Sequence, residues 1–352
     1  MNSPSVPLSS APAPLPLKAA LAPWLPFAVV LPVLALIQVA TGGAPFLVYL
    51  SLMVGVNVLL AVSLNIVNGM TGQFSLGHAG FMAVGAYAAA LLTMALDPWK
   101  LIGVAEPLSD QIFFVLALLV GGSAAGLCGL LVGLPSLRLR GDYLAVVTLG
   151  FGEIIRVFAQ NTDRLGGALG LTGIPHRTSL AMVGFWVFVV ILLAKRLADS
   201  PHGRSLVAIR EDEIAASAMG VNTTAYKVRA FVISSFFAGV AGGLFAHFQS
   251  VINPASFGWV RSMEIVVMVV AGGLGSTSGS VVAAVFLTLL PEGLRTLFNA
   301  LHLDAGRIDQ VRMPLYGLLL VVLMLMRPQG LFGTHEIWDG LKRRRAAKRE
   351  VA

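Results

Sequence analysis

Long apolar runs separated by short polar stretches dominate this chain. They lie near residues 20–40, 46–67, 76–95, 112–135, 142–160, 179–197, 228–250, 262–275, 277–291 and 313–327. A helix that crosses a bilayer needs roughly 20 apolar residues. The pattern therefore predicts an all-α fold, a polytopic transmembrane helical bundle of about ten segments. Several runs are short enough to be broken or re-entrant helices. The strict apolar–polar alternation of a membrane β-barrel is absent. Between Lys18 and Asp97 there is no Asp, Glu, Lys or Arg, and that stretch alone can hold three segments.

Two apolar regions are interrupted by polar and small residues. The first carries Asn65, Asn68, Gly69, Gly72, Gln73, Ser75, Gly77 and His78; the second runs Gly272-Gly273-Leu274-Gly275-Ser276-Thr277-Ser278-Gly279. Both suggest irregular backbone, which a membrane tolerates only inside protein or along an aqueous path. Asn65, Asn68, Gln73, Ser75, His78, Gly272, Gly275 and Ser276 are thus candidates for either a solute path or a structural helix break. Glycines four apart (Gly122 and Gly126, Gly129 and Gly133, Gly239 and Gly243, Gly275 and Gly279) are expected to share a helix face and let helices approach closely.

Composition agrees with the pattern. Apolar residues make up 57% of the chain and charged residues 12%, with mean hydropathy +0.84. A soluble domain carries roughly a quarter charged residues. The net charge of +7 matters less than its placement. If the amino terminus lies inside and all segments cross, 16 Lys and Arg fall inside and 7 outside, with Arg156 in the membrane. The positive-inside rule favours that orientation, with both termini cytoplasmic. It also explains the basic tail at 334–352 without nucleic acid. Residues 1–17, rich in Pro, Ser and Ala, resemble a disordered tail rather than a signal peptide. The membrane domain is then 18–333. Trp24, Trp99, Trp259 and Trp338 lie near segment ends, as interface anchors do.

Polar sequence concentrates in one loop, 199–229. Ser200-Pro201 can begin a short helix and Gly220 can end it. Acidic residues sit midway, Ile214, Ala215, Ala216, Ala218 and Met219 offer an apolar patch, and Asn222 can cap the next helix. Such a helix suits docking into a groove of a soluble partner. A solvated connector is the plainer reading.

Chemistry is sparse. No lysine follows a glycine, so there is no P-loop, and any ATP hydrolysis belongs to a partner. Cys128 is the only cysteine, and the six histidines have no metal-ligand spacing. No catalytic or metal residue is expected. Glu153, Arg156 and Glu264 are the ionisable residues in or beside apolar segments. Intramembrane charges are functional candidates by default, and Glu153 and Arg156 share a helix face. An ion-coupled secondary transporter would use such a pair. A passive channel remains a third possibility.

Several motifs resemble one family. Gly72-Gln73-Phe74-Ser75-Leu76-Gly77-His78-Ala79-Gly80, Arg140-Gly141-Asp142-Tyr143, Thr148-Leu149-Gly150-Phe151-Gly152-Glu153-Ile154-Ile155-Arg156, Leu171-Thr172-Gly173-Ile174-Pro175 and Arg327-Pro328-Gln329-Gly330-Leu331-Phe332-Gly333 look like the permease subunits of branched-chain amino acid ABC importers. The first is similar to the M-type subunit. The resemblance covers roughly 45–333. It implies a bacterial inner-membrane bundle paired with an H-type permease, two ATPase subunits that use ATP and Mg, and a periplasmic substrate-binding protein. It implies that 199–229 contains the coupling helix, with Arg204, Arg210, Glu211, Glu213, Ala215, Ala216 and Gly220 at the ATPase. The family's Glu-Ala-Ala, three residues, Gly appears here as Ile214-Ala215-Ala216 and Gly220, with Glu213 one place early and no downstream Ile-x-Leu-Pro. Leucine, isoleucine and valine are the implied substrates, with urea or short amides as the alternative.

Overall fold

The computed structural model describes residues 45–96, 106–136 and 143–300, with isolated positions between 314 and 333. The predicted segments 20–40 and 313–327 and both chain tails lie wholly or largely outside these. Within them, eight helices are long and apolar enough to cross a bilayer. They fall on the eight remaining predicted segments. These are α1 (Pro45–Asn65), α2 (His78–Ala95), α3 (Glu106–Ser136), α4 (Tyr143–Gln160), α5 (Leu180–Asp199), α8 (Thr223–Gln249), α9 (Trp259–Gly272) and α10 (Thr277–Ala300). Two short helices, α6 (Pro201–Glu211) and α7 (Glu213–Ala218), lie between α5 and α8. The end of the bundle that carries them is termed the loop end.

α1 is central. Its sequence has no charge, and every residue from Val56 to Asn65 is buried, as expected for a helix apolar all round. It packs against α5, α8, α9 and α10. α8 leaves the loop end and, at 27 residues, runs about 40 Å. Its small-residue stripe meets α2 and α3. Gly85 and Gly239 touch backbone to backbone, and a Cβ on either would collide with the other helix or with α3. Gly122 and Gly126 of α3 face Phe236 and Val232 of α8. These glycine pairs are packing devices, as predicted.

Gly275 and Gly279 depart from that prediction. They do not share a helix face, because Gly275 lies in the turn between α9 and α10 at φ +90°. The left-handed backbone there favours glycine. Gly279, inside α10, is the one in close backbone contact, with Gly272.

Far from the loop end, the chain after α4 forms β1 (Leu171–Thr172) and the chain after α8 forms β2 (Val251–Ile252). They pair antiparallel, with Leu171 opposite Ile252. The following 3-10 turn, Pro254–Phe257, buries Phe257 against Tyr87 and Phe245. α9 follows directly, with Trp259 and Val260 exposed at its start and Ser262 its first buried residue.

Candidate functional site

The loop helices are set by their caps. Ser200 Oγ accepts from Gly203 N (3.0 Å), and Pro201 takes the first position of α6, where its missing N–H costs nothing. Asp212 then leaves helical geometry. Its Oδ1 accepts from Ile214 N (2.8 Å) and Ala215 N (3.0 Å), so it caps α7. The single helix predicted for this loop is therefore two. Gly220, at φ +85°, ends α7. Gly220 N donates to Ser217 O (2.9 Å) and Val221 N to Ala216 O (3.1 Å), the Schellman pattern. Asn222 Oδ1 accepts from Ala225 N and starts α8.

These caps fix which residues face out. Leu206, Ile209 and Ala216 are buried and hold the loop to the bundle. Glu213 pairs with Lys227 of α8 (2.6 Å). Arg204, Glu211, Ala215 and Gly220 are exposed. The two large apolar side chains at the tip, Ile214 and Met219, are 72% and 85% exposed. Ala216, expected at the partner surface, points inward and is not available to a partner. Arg210 also turns inward, and its Nη1 donates to Gly69 O (2.9 Å).

Arg210 thereby brings the docking candidates and the helix-break candidates together. α1 ends in a π-helical turn, Ile66–Met70, and the chain then runs without helix to His78. Asn65 Oδ1 accepts from Gly275 N (2.9 Å) across this gap. Asn68 Oδ1 accepts from Ser75 N (3.1 Å), and Gln73 Oε1 accepts from the Thr71 hydroxyl (3.3 Å). His78 Nε2 and Ser63 Oγ lie 2.9 Å apart. Ser276 Oγ accepts from Gly279 N (3.0 Å) and caps α10. Asn65, Asn68, Gln73, Ser75, His78, Gly272 and Ser276 are all buried; only Gly275 is partly open, beneath Arg210. This geometry is that of two helix breaks, each braced within itself by side-chain amides or hydroxyls and joined to the other by the Asn65–Gly275 bond.

The charges expected within the membrane fall into two clusters. Glu153 and Arg156 pair on α4 at 2.6 Å. The second Glu153 oxygen accepts from Trp259 N (2.9 Å) at the start of α9. A carboxylate on a helix N-terminus is favourable, so this pair ties α4 to α9. Beside it, Gly150, Glu153, Ile154, Val157, Phe158 and Asn161 bound an open groove of about 510 Å³. α4 buries the smallest share of the eight spans, 28% of its apolar window.

Glu264 lies in the second cluster. It pairs with Arg261 (2.8 Å), which also donates to Asn57 Oδ1 (2.5 Å), and Asn57 Nδ2 donates to Thr288 Oγ1 (2.8 Å). This network joins α1, α9 and α10. The sequence reading missed Arg261 and Asn57. The signal was there: Arg261 and Glu264 have the same three-residue spacing as Glu153 and Arg156.

Known proteins match over most of this bundle. Residues 46–326 match a family described as the permease component of branched-chain amino acid transport systems. The LivM permease proteins of high-affinity branched-chain amino acid transport systems from Salmonella typhimurium and Escherichia coli are each 36% identical over 311 residues, covering 78% of this chain and 67% of theirs. A probable LivM permease from Methanocaldococcus jannaschii is 24% identical over 313 residues, covering 79% of this chain and 90% of its own. No solved structure shows a significant match. The matched region contains both helix breaks and the whole 199–229 loop, and the chain belongs to the family of branched-chain amino acid transport permeases.

Proposed function

We propose that this chain is the M-type permease subunit of an ATP-driven importer for leucine, isoleucine and valine in a bacterial inner membrane. The partner ATPases bind the loop end, and the ATP and Mg are theirs. That places the loop end and both termini in the cytoplasm, as the charge distribution favours. ATP binding closes the ATPases, α6 and α7 move with them, and the bundle alternates between outward and inward openings. A second permease completes the path, and a periplasmic binding protein delivers the substrate.

The exposure of Ile214 and Met219 carries the docking part of this reading. Both are large and apolar, on a polar loop, and held out by the caps of α7 rather than by chance. Met is enriched and charged residues are depleted in the buried centre of protein interfaces. The ion-coupled alternative needs Glu153 as a proton or ion carrier, whereas here both its oxygens are engaged in a structural tie, with Arg156 and Trp259.

The test is a double substitution, Ile214→Glu with Met219→Glu. Neither side chain supports the bundle, so the chain is expected to reach the membrane in normal amount. Co-purification of the ATPase in mild detergent should fall by about thirtyfold or more, the loss of two interface anchors at over 1 kcal/mol each. Retention of the ATPase at the wild-type ratio would remove the docking assignment. The same purification of the wild-type chain, with no ATPase recovered, would remove the importer reading altogether.

A further inference from the structure

Arg210 is better placed than any other loop residue to act on the membrane helices. Its guanidinium has two occupied edges. Nη1 donates to Gly69 O (2.9 Å), in the π turn that ends α1. Nε and Nη2 both donate to Glu211 Oε1, at 3.1 and 2.8 Å, and Glu211 is exposed at the surface of α6. The aliphatic stem lies on Gly72, which has φ +70°, and a Cβ there would strike Arg210 Cγ.

Gly69 O belongs to the last turn of a long helix. Such carbonyls lack intrahelical partners and carry the negative end of the helix dipole. A guanidinium is the side chain suited to hold one while keeping a second bond in a fixed plane. Gly69 in turn sits against the α9–α10 turn: a Cβ on it would collide with the Gly275 backbone. Asn65 fastens the same junction from inside, through Gly275 N. One side chain of the loop thus bears on the end of α1 and, through it, on the α9–α10 turn.

We infer that Arg210 is the positioning residue that transmits movement of α6 to the two helix breaks, with Glu211 holding its outer edge. This rests on the loop being the ATPase-docking element. Docking and transmission are then separate properties of one loop. Ile214 and Met219 face the partner, and Arg210 faces the bundle.

The experiment uses the whole complex, with both permeases, the ATPases and the binding protein, reconstituted in liposomes. It reads leucine imported per ATP hydrolysed. Arg210→Ala should lower that ratio about tenfold, within the usual range of coupling between distant sites. Arg210→Lys, a point charge without the planar fork, should fall between. Asn65→Ala removes the junction's inner fastening without touching any exposed surface, and it should lower the ratio similarly. The double variant should be no worse than the worse single, because contacts in one network are non-additive. A wild-type ratio in Arg210→Ala overturns the inference. So does an Asn65→Ala complex that couples normally while Arg210→Ala does not, since Arg210 would then act at the docking surface. Failure of Arg210→Lys to assemble also overturns it, making the contact one of folding. ATPase recovered with every variant keeps these outcomes distinct from failure of the docking reading.

Discussion

Arg261→Ala is expected to destabilise the bundle by about 3–5 kcal/mol, the cost of removing one partner from a buried ion pair. Glu264 stays behind with its side chain almost fully enclosed, 6% exposed, and loses its 2.8 Å partner. Asn57 loses a donor at the same time, so its carbonyl oxygen is left short inside α1. Three helices meet at this network, so the damage should be global rather than a local fraying. The measurement is thermal unfolding of the purified chain in mild detergent, followed by loss of the monodisperse species. The companion variant is Arg261→Met with Glu264→Leu. It removes both charges together and should recover most of the loss, because apolar replacements of a whole buried pair are often neutral. An Arg261→Ala protein as stable as wild type would mean that Arg261 is not needed to hold Glu264 and Asn57 in place and that the network is not a keystone.

Arg261 and Glu264 have the spacing of an ion pair, but the predicted span boundary parts the two residues. The apolar segment was predicted to start at 262, which leaves Arg261 in an exterior loop as one more countable charge. The helix in fact begins at Trp259, preceded by a 3-10 turn that buries Pro254 and Phe257. A boundary shift of a few residues moved an arginine from surface to core. Hydropathy locates a span by its apolar average, and that average is blind to where a polar pair is satisfied by neighbouring helices. Within the described residues the spans themselves were legible because each is long, apolar and bounded by polar or glycine-rich sequence.

The loop shows a second limit. Its caps were readable: Ser200, Pro201, Gly220 and Asn222 all act where the sequence placed them. The orientation of its faces was not. The acidic residues of this loop are expected midway along one helix, yet Asp212 stops one helix and starts the next. That change of axis turns Ala216 inward and Ile214 outward, so the small residue is buried and the large one exposed. Arg210, adjacent to the buried Ile209, turns inward for a different reason: a carbonyl at the end of α1 lacks a partner. No local pattern in 199–229 announces that carbonyl.

Glycine substitutions should separate the packing glycines from the rest by the largest margin available in the bundle. Gly85→Leu is expected to abolish the folded chain, whereas Gly150→Ala should leave it unchanged within about 0.5 kcal/mol. At Gly85 an added Cβ meets Gly239 Cα, C and O at once, all backbone atoms that no rotamer can move. Gly239 is equally confined on its other side, by Gly121 O and the Gly122 Cα of α3. Even Gly85→Ala must therefore spread α2 from α8, at the roughly 1–3 kcal/mol typical of overpacking. Leucine adds three further carbons to the same gap and cannot be accommodated without parting the helices. At Gly150 nothing lies within 4 Å, so a methyl enters open space, and alanine's better helix propensity offsets any small cost. The check is the yield of monodisperse protein in mild detergent, with thermal unfolding for every variant that survives. A stable Gly85→Leu chain would mean that α2 and α8 do not meet backbone to backbone, and the central packing described above would have to be redrawn.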